Sequence, residues 1–67
     1  MQVGTLVRHM NLHNPNYLFI IIQTNDLPCV TVRLVKQVEN VHAGFVTQFR
    51  IEHLVKVDDP LLNLLFT

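Results

Sequence analysis

The sequence predicts a small all-β fold, with five short strands bent into an antiparallel barrel. Three observations predict it. Runs of four to eight residues alternate apolar and polar side chains, or are continuously β-branched. Turn-forming clusters separate these runs at roughly ten-residue spacing, the rhythm of a small barrel or sandwich. No window of twelve residues before Pro60 holds a sustained helical period.

The elements follow in order. VGTLVRHM, Val3 to Met10, alternates apolar with small or polar residues and reads as the first strand, with Gly4 permitting a bulge or close backbone approach. NLHNPN, Asn11 to Asn16, is a turn, with Pro15 pushing Asn14 towards an extended backbone. YLFIIIQ, Tyr17 to Gln23, is a β-rich run for a strand buried on both sides or strongly bent, and TNDLP, Thr24 to Pro28, is the next turn. CVTVRLVK, Cys29 to Lys36, alternates cleanly: Val30, Val32 and Leu34 share one face, and Thr31, Arg33 and Val35 the other.

QVENVHAG, Gln37 to Gly44, is a hairpin connection in which Val38 and Val41 continue the strands. FVTQF, Phe45 to Phe49, is the fourth strand, with Phe45, Thr47 and Phe49 facing one way. LVKV, Leu54 to Val57, is the fifth, with Val55 and Val57 inward and Lys56 outward, and Asp58-Asp59-Pro60 ends it. Between these two strands, Ile51-Glu52-His53-Leu54 sets two apolar residues three apart around a polar pair. That is one 3₁₀ turn, whose eclipsed i and i+3 side chains place Ile51 and Leu54 together against the barrel end.

A single 3₁₀ turn before the last strand is a common feature of Src-homology-3-type barrels, which this sequence resembles. The opening VGTLVRH and the close FRIEHLVKV are similar to the ends of small uncharacterised Src-homology-3-like proteins of marine bacteriophages and cyanobacteria. The resemblance implies a fold and carries no functional residue with it. The chain departs from the usual pattern in having no Trp and few of the acidic residues that line peptide grooves.

Length and composition set further bounds. Sixty-seven residues make one domain, and chains this short bury only about 60% of their unfolded surface, so outside help is usual. The division is a barrel over residues 1–59 and an apolar tail over 60–67. Cys29 is the only cysteine, which excludes an internal disulfide and fits a reducing compartment. Five Lys and Arg balance five Asp and Glu, so no net field attracts nucleic acid or an anionic membrane. The longest apolar run, Tyr17 to Ile22, is too short to cross a bilayer. With no secretory h-region in the opening residues, the expectation is a cytoplasmic protein.

Candidate chemistry is thin. His9 and His13 are four apart, a metal-ligand spacing on a helix, but here they straddle a strand end and a loop. Cys29, His42 and His53 would complete such a site only by coincidence of folding. Cys29 follows Pro28 at the start of an apolar strand and reads as a small buried hydrophobe, not a reactive thiol. Asp58-Asp59 is a strand-end or capping signature. No glycine-rich phosphate loop or activated serine motif is present, so neither catalysis nor a cofactor is expected. Nucleic-acid binding is the rival reading, through Arg8, Arg33, Lys36, Arg50 and Lys56 gathered on one face, with Tyr17 as a stacking platform. The balanced charge weighs against it.

PLLNLLFT, Pro60 to Thr67, is the oddity. Pro60 at a first helical turn with Asp59 as cap would make it a short closing helix. However, Leu61, Leu62, Leu64, Leu65 and Phe66 lie nearly all round such an axis, so one barrel cannot cover them. The expectation is a non-catalytic binding or assembly module that self-associates, first as a dimer, with these five residues at the interface. A further protein partner would be compatible with it.

Overall fold

The computed structural model describes residues 1–57. Asp58, Asp59 and the 60–67 segment, with its five expected interface residues, lie outside the described residues. Five antiparallel strands form one sheet: β1 (Leu6–His9), β2 (Phe19–Gln23), β3 (Cys29–Leu34), β4 (Val46–Arg50) and β5 (Leu54–Lys56). The spatial order is β4-β3-β2-β1-β5, so β4 and β5 are its two edges and the sheet is not closed. The expected 3₁₀ turn is present at Ile51–His53, closed by the Leu54 N–H donating to the Ile51 carbonyl.

Four side-chain positions differ from expectation: Phe45, Val55, Cys29, and Lys56, which pairs with Val7 and so shares the face of the core residue instead of the outer face. Phe45 does not extend the inward row of Thr47 and Phe49. The Gly44 N–H donates to the Leu34 carbonyl, and the Leu34 N–H donates to the Phe45 carbonyl, each at 2.8 Å. Two residues thus oppose one, which is a β-bulge with Gly44 at φ 89°, and Phe45 is half-exposed within it. Val55 is not inward either. It stands opposite Arg8 on the outer face and is half-exposed, because Leu54 pairs with His9 and takes the inward position. Cys29 is only partly buried, since it opens β3 opposite Arg50 near the sheet margin.

The main core lies on one face. Val7, Phe19, Ile21, Val30, Val32, Leu34, Val38 and Leu54 are buried together, with Tyr17, Val41, Phe49 and Ile51 packed against them. Alternation accounts for β3, whose buried residues are Val30, Val32 and Leu34. In β2, a register shift between Ile21 and Gln23 makes Ile22 an extra residue, which bends the strand.

The bend is large. Two strands separate β1 from β4, so a flat sheet would hold them about 14 Å apart. Yet the His9 ring on β1 meets the Phe49 ring on β4 at 4.5 Å. The sheet therefore curls until its β4 side faces its β1 side. Backbone bonds fasten this end: the Ile51 N–H donates to the Pro28 carbonyl at 2.8 Å, and the Met10 N–H to the His53 carbonyl at 2.9 Å.

The 3₁₀ turn contributes through Leu54, which is 6% exposed, and through Ile51 packed beside it on the core. Leu54→Ala is expected to cost about 2–5 kcal/mol as a large-to-small core substitution. Glu52→Ala, on the exposed side of the turn, should move the urea midpoint only slightly. Urea unfolding of both variants checks the assignment, and equal shifts would contradict it.

Candidate functional site

Inside the curl, five rings form a continuous row. Tyr17 stacks on Phe19 at 6.3 Å and 10° between planes, and Phe19 meets Phe49 edge-on at 5.2 Å. Phe49 meets His9, and His9 meets His53 at 5.5 Å. Edge-to-face pairs of this kind contribute about 0.5–1.5 kcal/mol each beyond their buried area. His9 thus lies beside His53 and not His13, since the strand end and the 3₁₀ turn bring those two rings together. Among the described residues, no three of His, Cys, Asp or Glu gather to hold a metal ion.

His9 is held in its neutral form. Its Nδ1 accepts the Asn11 N–H at 3.1 Å, which requires a free lone pair there. Burial first, and the neighbouring His53 second, lower its pKa below the ordinary 6.5.

At the other end of the row, Glu39 ties two loops together. It is the first central residue of the tight Val38–Val41 turn, where each valine N–H donates to the other's carbonyl. Its φ of 53° is unusual for a residue with a side chain. Its carboxylate accepts the Tyr17 hydroxyl at 3.2 Å and the Asn14 amide at 3.4 Å. Asn14 is itself set by an Asx turn, its Oδ1 accepting the Asn16 N–H at 2.9 Å. This carboxylate also raises the Tyr17 pKa, although desolvation is the larger cause. The ring considered for base stacking thus carries an acidic neighbour on its hydroxyl. The sequence signal for Glu39 was a polar pair between two valines, a hairpin pattern lacking the usual glycine.

The outer face is of a different character. Ladder register places Leu6, Ile20, Arg33 and Val46 in one row across β1 to β4. Leu6 is buried, Ile20 partly so, and Val46 half-exposed, while Ile22 and Val55 add further exposed apolar surface. An open groove of about 380 Å³ lies there, lined by Ile20, Arg33, Leu34, Val35, Ala43 and Gly44. Beside it runs a polar ladder: the Gln48 amide donates to Thr31 Oγ1 at 3.3 Å and to Asp26 at 3.5 Å, and the Thr31 hydroxyl donates to Gln23 at 3.4 Å.

Arg50 is ion-paired with Glu52, the single ion pair among the described residues. Arg8 and Arg33 share the outer face without an acidic partner among those residues, while Lys56 stands opposite Val7. No protein-family model matches the chain, and neither curated proteins nor solved structures give a match.

Two outcomes follow from this geometry. With its folded pKa lowered, His9 binds fewer protons in the folded chain than in the unfolded one around and below pH 6.5. Its stabilising contribution is therefore complete above that pH and is lost as pH falls below it. The urea midpoint should drop between about pH 7.5 and pH 5, and His9→Phe should flatten that drop. Glu39→Gly should be more stable than Glu39→Ala by about 1 kcal/mol, because both lose the same side-chain bonds and only glycine relieves the positive φ. Paired denaturation curves measure the difference.

Proposed function

We propose that this chain is a non-catalytic binding and assembly module on a Src-homology-3-type barrel, and that it self-associates. Support for the barrel comes from the strand order, the curl that brings β1 against β4, and the 3₁₀ turn between β4 and β5. The observation that carries the function is the outer face. The outer face leaves Val46 half-exposed beside Arg33 and the partly buried Ile20, with Val55 half-exposed at the opposite edge of the sheet, apolar surface of the kind that a partner covers. The sequence adds five large apolar residues, Leu61, Leu62, Leu64, Leu65 and Phe66, as the complementary interface.

Association of two copies follows the commonest symmetry, a closed two-fold pair. It also gives a small core the additional burial it needs. Sedimentation equilibrium at micromolar concentration is expected to report a dimer or larger species. Deleting residues 61–67 should yield a monomer or a less stable, aggregating protein. A monomer from the intact chain would refute self-association.

The balanced charge predicts no sub-micromolar complex with single- or double-stranded nucleic acid at physiological salt, because few counterions would be released. Fluorescence anisotropy with labelled oligonucleotides across a salt series checks this. A tight complex that weakens steeply with salt would favour a nucleic-acid-binding barrel instead.

A further inference from the structure

We propose that the His9–His53 pair is a pH-sensitive latch, and that charging it releases the 3₁₀ turn and β5 together from a sheet that otherwise stays formed. The inference goes beyond self-association and applies to a single copy of the chain.

The element to be released is small and lightly held. β5 is an edge strand of three residues with β1 as its neighbour. The turn before it is tied by the Ile51 N–H, which donates to the Pro28 carbonyl at 2.8 Å, and by the His53 carbonyl, which accepts the Met10 N–H at 2.9 Å. At the far end, the Val57 N–H donates to the Leu6 carbonyl at 2.9 Å. By contrast, β2 and β3 carry Ile21, Val30 and Val32, all fully buried. Partial openings begin at such short, thinly packed elements and spare the core strands.

The means of release sits at the same place. His9 pairs with Leu54, the first residue of β5, and its ring lies 5.5 Å from that of His53 and 4.5 Å from that of Phe49. Its Nδ1 accepts the Asn11 N–H at 3.1 Å. Asn11 is held there by a tight turn, in which the Leu12 N–H donates to the His9 carbonyl at 3.0 Å. A proton on Nδ1 turns this acceptor into a donor, so two donors face each other. The ring must then move, with the Phe49 and His53 rings against it. Displacing His53 displaces the turn, because the His53 carbonyl is one of its ties. Ile51 and Leu54 leave with the turn, and the rings of Phe49 and Phe19 lose their cover.

Falling pH is the direction that opens the latch. Burial and then His53 lower the His9 pKa, so the open form takes up its proton at a higher pH than the closed form. The other ionisable groups around His9 come from each neighbouring element. Arg50 at the end of β4 and Glu52 on the turn are paired with each other. Lys56 follows Leu54 on β5, Cys29 on β3 lies opposite Arg50, Arg8 on β1 lies opposite Val55, and His13 is in the loop after β1. Among the described residues, no carboxylate bonds the His9 ring to hold it charged.

The test is amide exchange of the ¹⁵N-labelled full chain, followed by NMR at pH 7.5 and pH 5.5 in a series of low urea concentrations. Rates are divided by the intrinsic rate at each pH. The Met10, Ile51 and Val57 amides should be less protected than those of Ile21, Leu34 and Val35, and should respond less to urea, which marks a partial opening. Their protection should fall at pH 5.5 by about threefold to tenfold, the upper figure being the ceiling for one group that titrates near 6.5 when released. His9→Phe keeps a ring without a titrating nitrogen and should abolish that fall.

If the two groups of amides matched in protection and in urea response, there would be no separate opening and the proposal would be overturned. Unchanged protection of Met10, Ile51 and Val57 at pH 5.5 would overturn it as well, and so would an equal fall in His9→Phe. The first two outcomes need only the native chain, so they decide the matter even where the variant does not fold.

Discussion

A single sheet with one buried face must supply its own cover. Here the contact that provides it is the meeting of Phe49 with His9 and Phe19 across the concave side. With no second layer among the described residues, the sheet can bury Val30, Val32 and Ile21 only by folding over on them. The backbone makes this possible at two points, the extra residue Ile22 in β2 and the Gly44–Phe45 bulge before β4. Bulges sharpen the local twist and bend. The sequence places at the second bulge the residue type that tolerates φ 89° without cost.

The same curl makes the ends of the ring row vulnerable in different ways. At one end, His9 and His53 are close enough that charging both would be repulsive, and the Asn11 N–H occupies the nitrogen that a proton would need. Neutral imidazole is therefore part of the fold at that end. At the other end, Glu39 accepts a strained backbone angle while its carboxylate joins Tyr17 and Asn14. Strain held at a non-glycine residue persists only when its surroundings over-determine it. Here those surroundings are the two valine backbone bonds of its own turn together with the two bonds to its carboxylate.

Much of the fold was legible because its signal is local. The alternation in CVTVRLVK fixed the inward row of β3, and the Ile51–Leu54 spacing located the 3₁₀ turn. The connection expected over Gln37 to Gly44 lies between β3 and β4, but Val38 and Val41 form an isolated bridge within it and do not continue the strands. What failed did so for non-local reasons. Val55 follows the alternation of its strand correctly only once Leu54 is known to pair with His9. Phe45 was displaced by a bulge that hydrogen bonding to Leu34 creates. The His9–His53 pair joins residues far apart in the chain, and no spacing rule could have predicted it. Nor could the row Leu6, Ile20, Arg33 and Val46, which exists only through register across four strands.

The two faces of the sheet differ in character. The concave face holds the fold, and its residues are buried hydrophobes or rings packed edge to face. The convex face contributes less to that core, since Val46 and Val55 are half-exposed there. Association through the convex face would add burial without rearranging the rings, so it would stabilise the folded chain by mass action alone. For a domain of this length such a contribution is not small beside the total, because a few kcal/mol separates folded from unfolded. Fold and assembly would then be coupled through concentration while remaining separable by mutation: a change at Val30 would weaken both, and a change at Val46 chiefly the second.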